Sequence, residues 1–176
     1  MTDFSIHYDV GGVAHVGHVL LGIRDRALNA APVLSVILED MKRLEAELFD
    51  TEGRGEWPAL AQTTLEQKAR KGYPAKILQA SGDLMASLTG DGPGSVSHVT
   101  EEEVVLGTTI PYAAYHEHGT ARMPARPPVD VREQDVRSWS KQIQQYIMGV
   151  DRMEVEAAGG GSAPFGLGLL DPFGLA

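Results

Sequence analysis

From Val13 to Leu48 the chain places apolar residues at alternating three- and four-residue steps: Val13, Val16, Leu20, Ile23, Ala27, Ala30, Leu34, Ile37, Met41, Leu44 and Leu48. Such steps line successive side chains along one face of an α-helix, so this stretch is committed to helix with one apolar side. Pro32 interrupts the pattern, because proline lacks an N–H and its ring clashes with the preceding turn. A weaker helical piece is therefore expected before Asn29, and a firm helix from about 30 to 49. Pro32 then falls in a first turn, where its missing N–H costs nothing. Glu39–Arg43 and Arg43–Glu47 supply i,i+4 ion pairs on the wet face. A stripe of this kind either packs into a core or forms a seam between subunits, and its spacing is compatible with both.

Around this helix the period changes. Residues 3–10 alternate, with Phe4, Ile6, Tyr8 and Val10 on one side and Ser5, His7 and Asp9 on the other, as in a short half-buried strand ended by Gly11-Gly12. Residues 50–62 form a connection rich in glycine and charge, in which Trp57 has the apolar area to anchor the loop to a core. Thr63-Thr64-Leu65-Glu66 has the form of a capping box, opening a short helix that stops at Gly72. Ile77, Leu78, Leu84, Met85 and Leu88 predict a second short helix around Gly82, and Asp91-Gly92-Pro93-Gly94 a turn. Val96–Thr100 and Val104–Thr108 alternate and are rich in β-branched residues, a β-hairpin with Glu101–Glu103 at its tip. Pro111 to Gly119 is short and aromatic, and Met123 to Pro128 holds too much proline for regular structure. Asp130 with Glu133 would cap a last helix whose Val136, Trp139, Ile143 and Ile147 share a side and which Gly149 stops. From about residue 155 the composition shifts. Ala157–Ser162 reads as a flexible linker, and Pro-Phe-Gly-Leu then occurs twice, at Pro164–Leu167 and Pro172–Leu175. The expected organisation is one domain over 1–150, then a linker and apolar arm over 151–176.

Charge narrows the function. The formal net charge is −9, opposite to the Lys/Arg excess by which a protein displaces counterions from nucleic-acid phosphates. With no cysteine, neither a disulfide framework nor a thiolate metal site is open to the chain. The first residues lack the basic and apolar regions of a signal peptide, and no apolar run approaches the ~20 residues of a membrane span, so no membrane partner is expected.

The chemistry-bearing residues point weakly to catalysis. His116-Glu117-His118 would place two imidazoles on one face if extended, but a metal site needs a third ligand, for which His15, His18 and Asp130 are the only guesses. A metal-dependent hydrolase built on His116 and His118 is the alternative from a different class. No Gly-Lys-Ser/Thr phosphate loop occurs, and neither Ser81 nor Ser95 has the flanking glycines of a nucleophile elbow. No cofactor and no catalytic residue is therefore assigned, and the chain reads as a non-enzyme. Arg122, Arg126, Arg132 and Arg137 form a basic patch on an acidic chain. They either pair with neighbouring acids or bind an acidic surface of an adjacent subunit.

Three stretches carry a resemblance. The first is Phe49-Asp50-Thr51-Glu52-Gly53 with Trp57-Pro58-Ala59-Leu60 and Thr63-Thr64-Leu65; the second runs from Ile77 through Gly82 to Leu88. The third is Val105-Leu106-Gly107-Thr108, then Tyr112-Ala113-Ala114-Tyr115-His116-Glu117-His118-Gly119-Thr120 and Met123-Pro124-Ala125-Arg126-Pro127. In this order, over roughly residues 30 to 148, they resemble the phage virion-morphogenesis or tail-completion family. Two places depart from that pattern: Pro128-Val129 follow the Arg-Pro, and Glu117-His118 replaces a Gln-aromatic pair. Glu117, Gly119 and Thr120 are similar to the related neck-protein family of long-tailed phages.

Expectations follow from the resemblance and from the residues beside it. The fold is α+β, a small antiparallel sheet packed with a long helix and a C-terminal helix, plus an extended C-terminal arm. The resemblance implies a structural virion protein at the head–tail junction, assembled in the host cytoplasm. It would be a ring, expected as a hexamer, that joins head-connector and tail proteins around double-stranded DNA it does not specifically bind. A tail-terminator ring is the alternative within the class. Tyr112, Tyr115, Glu117, Arg122 and Arg126, with Phe165, Leu167, Phe173 and Leu175 of the arm, are the expected interface residues. Glu101, Glu102 and Glu103 would line the DNA channel. Gly119 suits a positive-φ position, and Arg126, held between prolines, would make a bidentate contact with a neighbour.

Overall fold

A computed structural model describes residues 10–90 and 92–149. Its helices are α1 (Val10–Leu28), α2 (Ala31–Asp50), α3 (Gln62–Arg70), α4 (Asp83–Thr89), α5 (Ala113–His118) and α6 (Glu133–Met148), and its strands are β1 (Ser95–Val99) and β2 (Val104–Thr108). The α+β class is as expected. Residues 3–9 of the expected N-terminal strand, and the whole C-terminal arm with Phe165, Leu167, Phe173 and Leu175, lie outside the described residues. Val10 and Gly11-Gly12 do not end a strand; they open α1.

The break at Asn29–Ala30 has the expected cause. Pro32 cannot donate to the carbonyl four residues back, that of Leu28, where α1 stops. Pro32 then sits in the first turn of α2, and the Asn29 side-chain oxygen accepts the Ala31 N–H at 3.2 Å. The stripe divides at this break. On α2, Leu34, Ile37 and Leu48 are buried, whereas on α1 Val16 is 55% and Leu20 60% exposed. On the wet face of α2, Glu39 pairs with Lys42 and Asp40 with Arg43, rather than Glu39 with Arg43.

Two apolar clusters lie along α2. Near its start, Val33, Leu34 and Ile37 meet Val99 and Val104 of the hairpin and Trp139, Ile143 and Tyr146 of α6. Near its end, Leu48 and Phe49 pack with Trp57, Ile77, Leu84, Leu88 and Ala113. Phe49 and Leu88 are wholly enclosed, each contributing roughly 1.5–3 kcal/mol by leaving water. The hairpin pairs antiparallel with Ser95 opposite Thr108 and Val99 opposite Val104. At its open end the buried Ser87 hydroxyl of α4 meets the Thr108 hydroxyl at 2.8 Å. At its tip the Glu101 carbonyl accepts the Ala30 N–H at 2.9 Å.

Helix starts differ from the capping patterns read in the sequence. Ala61 is the N-cap of α3, so Thr63 lies inside the helix and forms no box with Glu66. The second short helix begins only after Gly82, and Ile77 and Leu78 precede it in irregular chain. Arg132, not Asp130, precedes α6; its backbone N–H is accepted by the Asp135 carboxylate at 3.0 Å. Gly149 ends α6 in the left-handed region, as expected. Val136 is not on the buried side of that helix, being 49% exposed.

Candidate assembly surface

The three stretches that carry the family resemblance come from separate parts of the chain and meet at the Asp50 end of α2. After Phe49 the backbone turns through four left-handed residues, Glu52, Gly53, Arg54 and Gly55. This coil brings Trp57 edge-on to Phe49, with ring centroids 5.7 Å apart. A Cβ at Gly53 would stand 2.3 Å from the indole Cδ1, so only glycine admits this approach. The Trp57 indole N–H donates to the Pro127 carbonyl at 3.1 Å, tying the loop to the proline-rich segment. Glu52 accepts the Ile77 N–H at 2.8 Å, and the Gln79 amide donates to the Phe49 carbonyl at 3.0 Å, drawing in the second stretch.

Arg126 fastens the third. Its Nε donates to the Pro58 carbonyl at 2.7 Å and a terminal nitrogen to the Ala59 carbonyl at 2.9 Å, while its backbone N–H donates to the His116 carbonyl at 2.7 Å. The residue is only 6% exposed, and burial holds its pKa below the usual arginine value. The two-pronged contact expected with a neighbour is thus made inside the subunit. Two adjacent uncharged residues, Pro58 and Ala59, supply the acceptors, and carbonyls of an exposed loop leave no pattern in a sequence. Gly119 has the expected positive φ, and its hydrogen side faces the Ala125 backbone, where a Cβ would come within 2.7 Å of the amide nitrogen.

The other arginines divide. Arg132 pairs with Asp130 and Glu56, and Arg137 with Glu133, so much of the expected basic patch is neutralised locally. Arg122 is exposed and has no ion pair among the described residues. Tyr112 and Tyr115 of the expected interface are 42% and 60% exposed, and Glu117 is half-buried. Glu101, Glu102 and Glu103 are exposed at the hairpin tip, at the opposite end of α2.

His116-Glu117-His118 is helical rather than extended, which swings the two imidazoles to diverging faces. Among the described residues no group of three His, Asp or Glu side chains is placed to hold a metal ion. His116 is half-buried with its Nδ1 lacking a hydrogen-bond partner among the described residues. Burial, then the Arg126 charge, hold it below the usual histidine pKa.

Two polar features escaped the sequence reading. Lys68 of α3 donates to the carbonyls of Pro74, Lys76 and Gln79, closing the loop that follows its own helix. Glu45 is 4% exposed, and its Oε2 has no hydrogen-bond partner among the described residues. Burial first, then the Asp130 and Glu117 charges, push its carboxyl up to about 7, against the pull of Arg54, whose guanidinium is paired with Asp130. A signal for Glu45 existed: it stands four residues after Met41 and four before Phe49, inside the apolar stripe.

Between these locked segments lies a cleft of about 450 Å³ whose lining includes Leu60, Leu78, Leu84, Tyr112, Arg122 and Met123. Among the described residues no helix is long and apolar enough to cross a membrane.

The Mu-like prophage FluMu G protein 2 of Haemophilus influenzae is 28% identical to the chain over 149 residues, covering 81% of this chain and 96% of that protein. No solved structure matches. The phage virion morphogenesis family matches over residues 13–148, which take in α1 nearly whole and every later described element. The chain belongs to the phage virion morphogenesis family, and its role is in the structure or assembly of a phage virion.

Proposed function

We propose that this chain is a ring-forming subunit of the neck, joining head-connector and tail proteins around the DNA path, and that it carries no catalytic activity. The observation that carries the reading is α1. Its Val16, Val19, Leu20, Leu21 and Leu28 are each 46–66% exposed, and the helix packs on its own subunit mainly through α6. Of these, Val16, Val19 and Leu20 share one face at their spacing, and contiguous exposed apolar surface of this kind is characteristic of a contact with another protein. A head-to-tail contact between identical subunits generates a ring when its rotation closes, and six copies suit the tail side. The hairpin tip fits the lumen of such a ring. Glu101 is tied through its carbonyl to Ala30 at the base of α1, leaving three carboxylates exposed beside the inter-subunit helix. Carboxylates lining a channel repel phosphates, so DNA slides without sticking.

Mass photometry of the purified chain tests the ring. A closed oligomer that Leu20→Asp converts to monomers is the expected result, and a wild-type chain that stays monomeric at every concentration, and within virions, overturns it. Lysine at Glu101, Glu102 and Glu103 together is expected to slow genome ejection. Unchanged ejection would remove these acids from the channel. A tail terminator would also form a ring; attachment to isolated tail tubes rather than to head connectors would favour that role.

A further inference from the structure

The cleft at the Asp50 end of α2 is not accounted for by locking the loops together. Leu60, Leu78, Leu84 and Met123 give it an apolar lining, with Tyr112 at its side. Its volume of about 450 Å³ falls within the ~300–1,000 Å³ of sites that enclose small apolar groups. Its charge is unusual for this protein. Lys68, Arg122 and Arg126 line it together with His116, and no Asp or Glu does, although the chain has 24 acidic against 15 basic residues. Lys68 and Arg126 are engaged by carbonyls, which leaves Arg122 to meet an acid arriving from outside.

We propose that the cleft receives the apolar arm, residues 164–176, of a neighbouring copy of this chain, a reading that rests on the multi-copy assembly proposed above. Two Pro-Phe-Gly-Leu units, at Pro164–Leu167 and Pro172–Leu175, offer Phe165 and Phe173 as anchors eight residues apart. The proline before each anchor limits the conformations lost on binding. Between Ala157 and Ala176 the sole charged side chain is Asp171, directly before the second unit, so the arm carries apolar groups and one acid to a cleft that offers apolar walls and one uncommitted arginine.

Geometry favours a neighbour over the same subunit. Gly149, from which the chain continues toward the arm, lies by Arg26 and Asn29 at the start of α2, since Arg26 donates to the Ile147 carbonyl and Tyr146 to the Asn29 carbonyl. The cleft lies at the other end of α2, about 30 Å away at 1.5 Å per residue. A flexible chain of about fifteen residues, the sequence separation of Gly149 and Pro164, spans about 20 Å root-mean-square. Reaching the cleft of its own subunit would stretch such a chain beyond its mean span, whereas the cleft of a neighbouring copy is not tied to that separation.

The absence of native cysteine makes the test clean. Full-length Ser81→Cys, at the cleft, is mixed with full-length Gly174→Cys, in the arm, and disulfides formed under mild oxidation are read by mass spectrometry. The expected product is the Ser81–Gly174 heterodimer, at least about fivefold above a Ser140→Cys control on exposed α6. Its yield should fall to the control level with Phe165→Ser plus Phe173→Ser, and several-fold with Arg122→Glu, whose side chain makes no hydrogen bond or ion pair among the described residues. Yield equal to the control, or insensitivity to the phenylalanines, overturns the proposal. So does an intrachain disulfide as the main product of the doubly substituted chain at nanomolar concentration, or capture of the virion's Ser81→Cys only by a different protein. Labelling of Ser81→Cys by a synthetic 164–176 peptide carrying Gly174→Cys supports recognition of the arm by the cleft. Mass photometry of the same preparation reports separately on the ring.

Discussion

Replacing Glu45 by Gln isolates the energetic cost of one buried carboxylate. Its Oε2 has no hydrogen-bond partner among the described residues, and Arg54, the cation that would compensate it, is committed to Asp130. Burial and the flanking acids raise its carboxyl from 4.5 to about 7. The folded state therefore binds this proton more tightly than the unfolded chain does. Stability contributed by the neutral form is fully present below pH 4.5, falls as pH rises through 4.5 to 7, and is lost above that window. At ~1.4 kcal/mol per pH unit the loss amounts to about 3 kcal/mol by pH 8. Glutamine keeps the shape and never ionises. Glu45→Gln should match the wild type near pH 4.5 and exceed it at pH 8 by about 3 kcal/mol, or roughly 6–12 °C in Tm. Urea unfolding of both proteins at half-unit pH steps is the assay. Parallel profiles, or a wild type that is the more stable at pH 8, would refute the reasoning and show that Arg54 compensates Glu45 after all.

Other perturbations probe the lock around the cleft. Arg126→Lys keeps the charge but cannot span the Pro58 and Ala59 carbonyls, and should cost about 2–3 kcal/mol in chemical denaturation; a cost no greater than that of an exposed arginine would mean the contact is not formed in solution. Gly119→Ala drives a Cβ to within 2.7 Å of the Ala125 nitrogen and should destabilise by more than about 2 kcal/mol, seen as a lowered Tm, whereas Gly55→Ala, with open space around it, should cost only about 1 kcal/mol for its left-handed backbone. Trp139→Phe removes the 2.8 Å hydrogen bond to Asp40 while keeping an aromatic ring, and should cost about 1 kcal/mol at pH 7. Because Asp40's pKa is held low by its bonds to Arg43 and Trp139 against the opposing effect of burial, that deficit should shrink as acid protonates the carboxyl; a deficit independent of pH would assign it to packing alone.

The local period of the chain was enough to place the helix break just before Pro32, the hairpin over Val96–Thr108, the last helix up to Gly149 and the need for glycine at 119. Each depends on contacts within a few residues: a missing N–H, β-branched alternation, a left-handed φ. The order of the motifs also identified the family. What the period could not decide was coverage. Val16, Leu20, Leu34 and Ile37 obey one spacing, yet only the last two are buried, because the hairpin and α6 fold back over α2 and not over the face of α1 that carries Val16 and Leu20. Partner choice was equally hidden. Arg126 ends against a carbonyl 68 positions away, and a backbone acceptor is the same atom whichever residue bears it. His116 and His118 changed faces because Ala113–His118 wound into helix, a choice that six residues do not make alone, since a helix that short gains too few hydrogen bonds to repay its nucleation without tertiary packing.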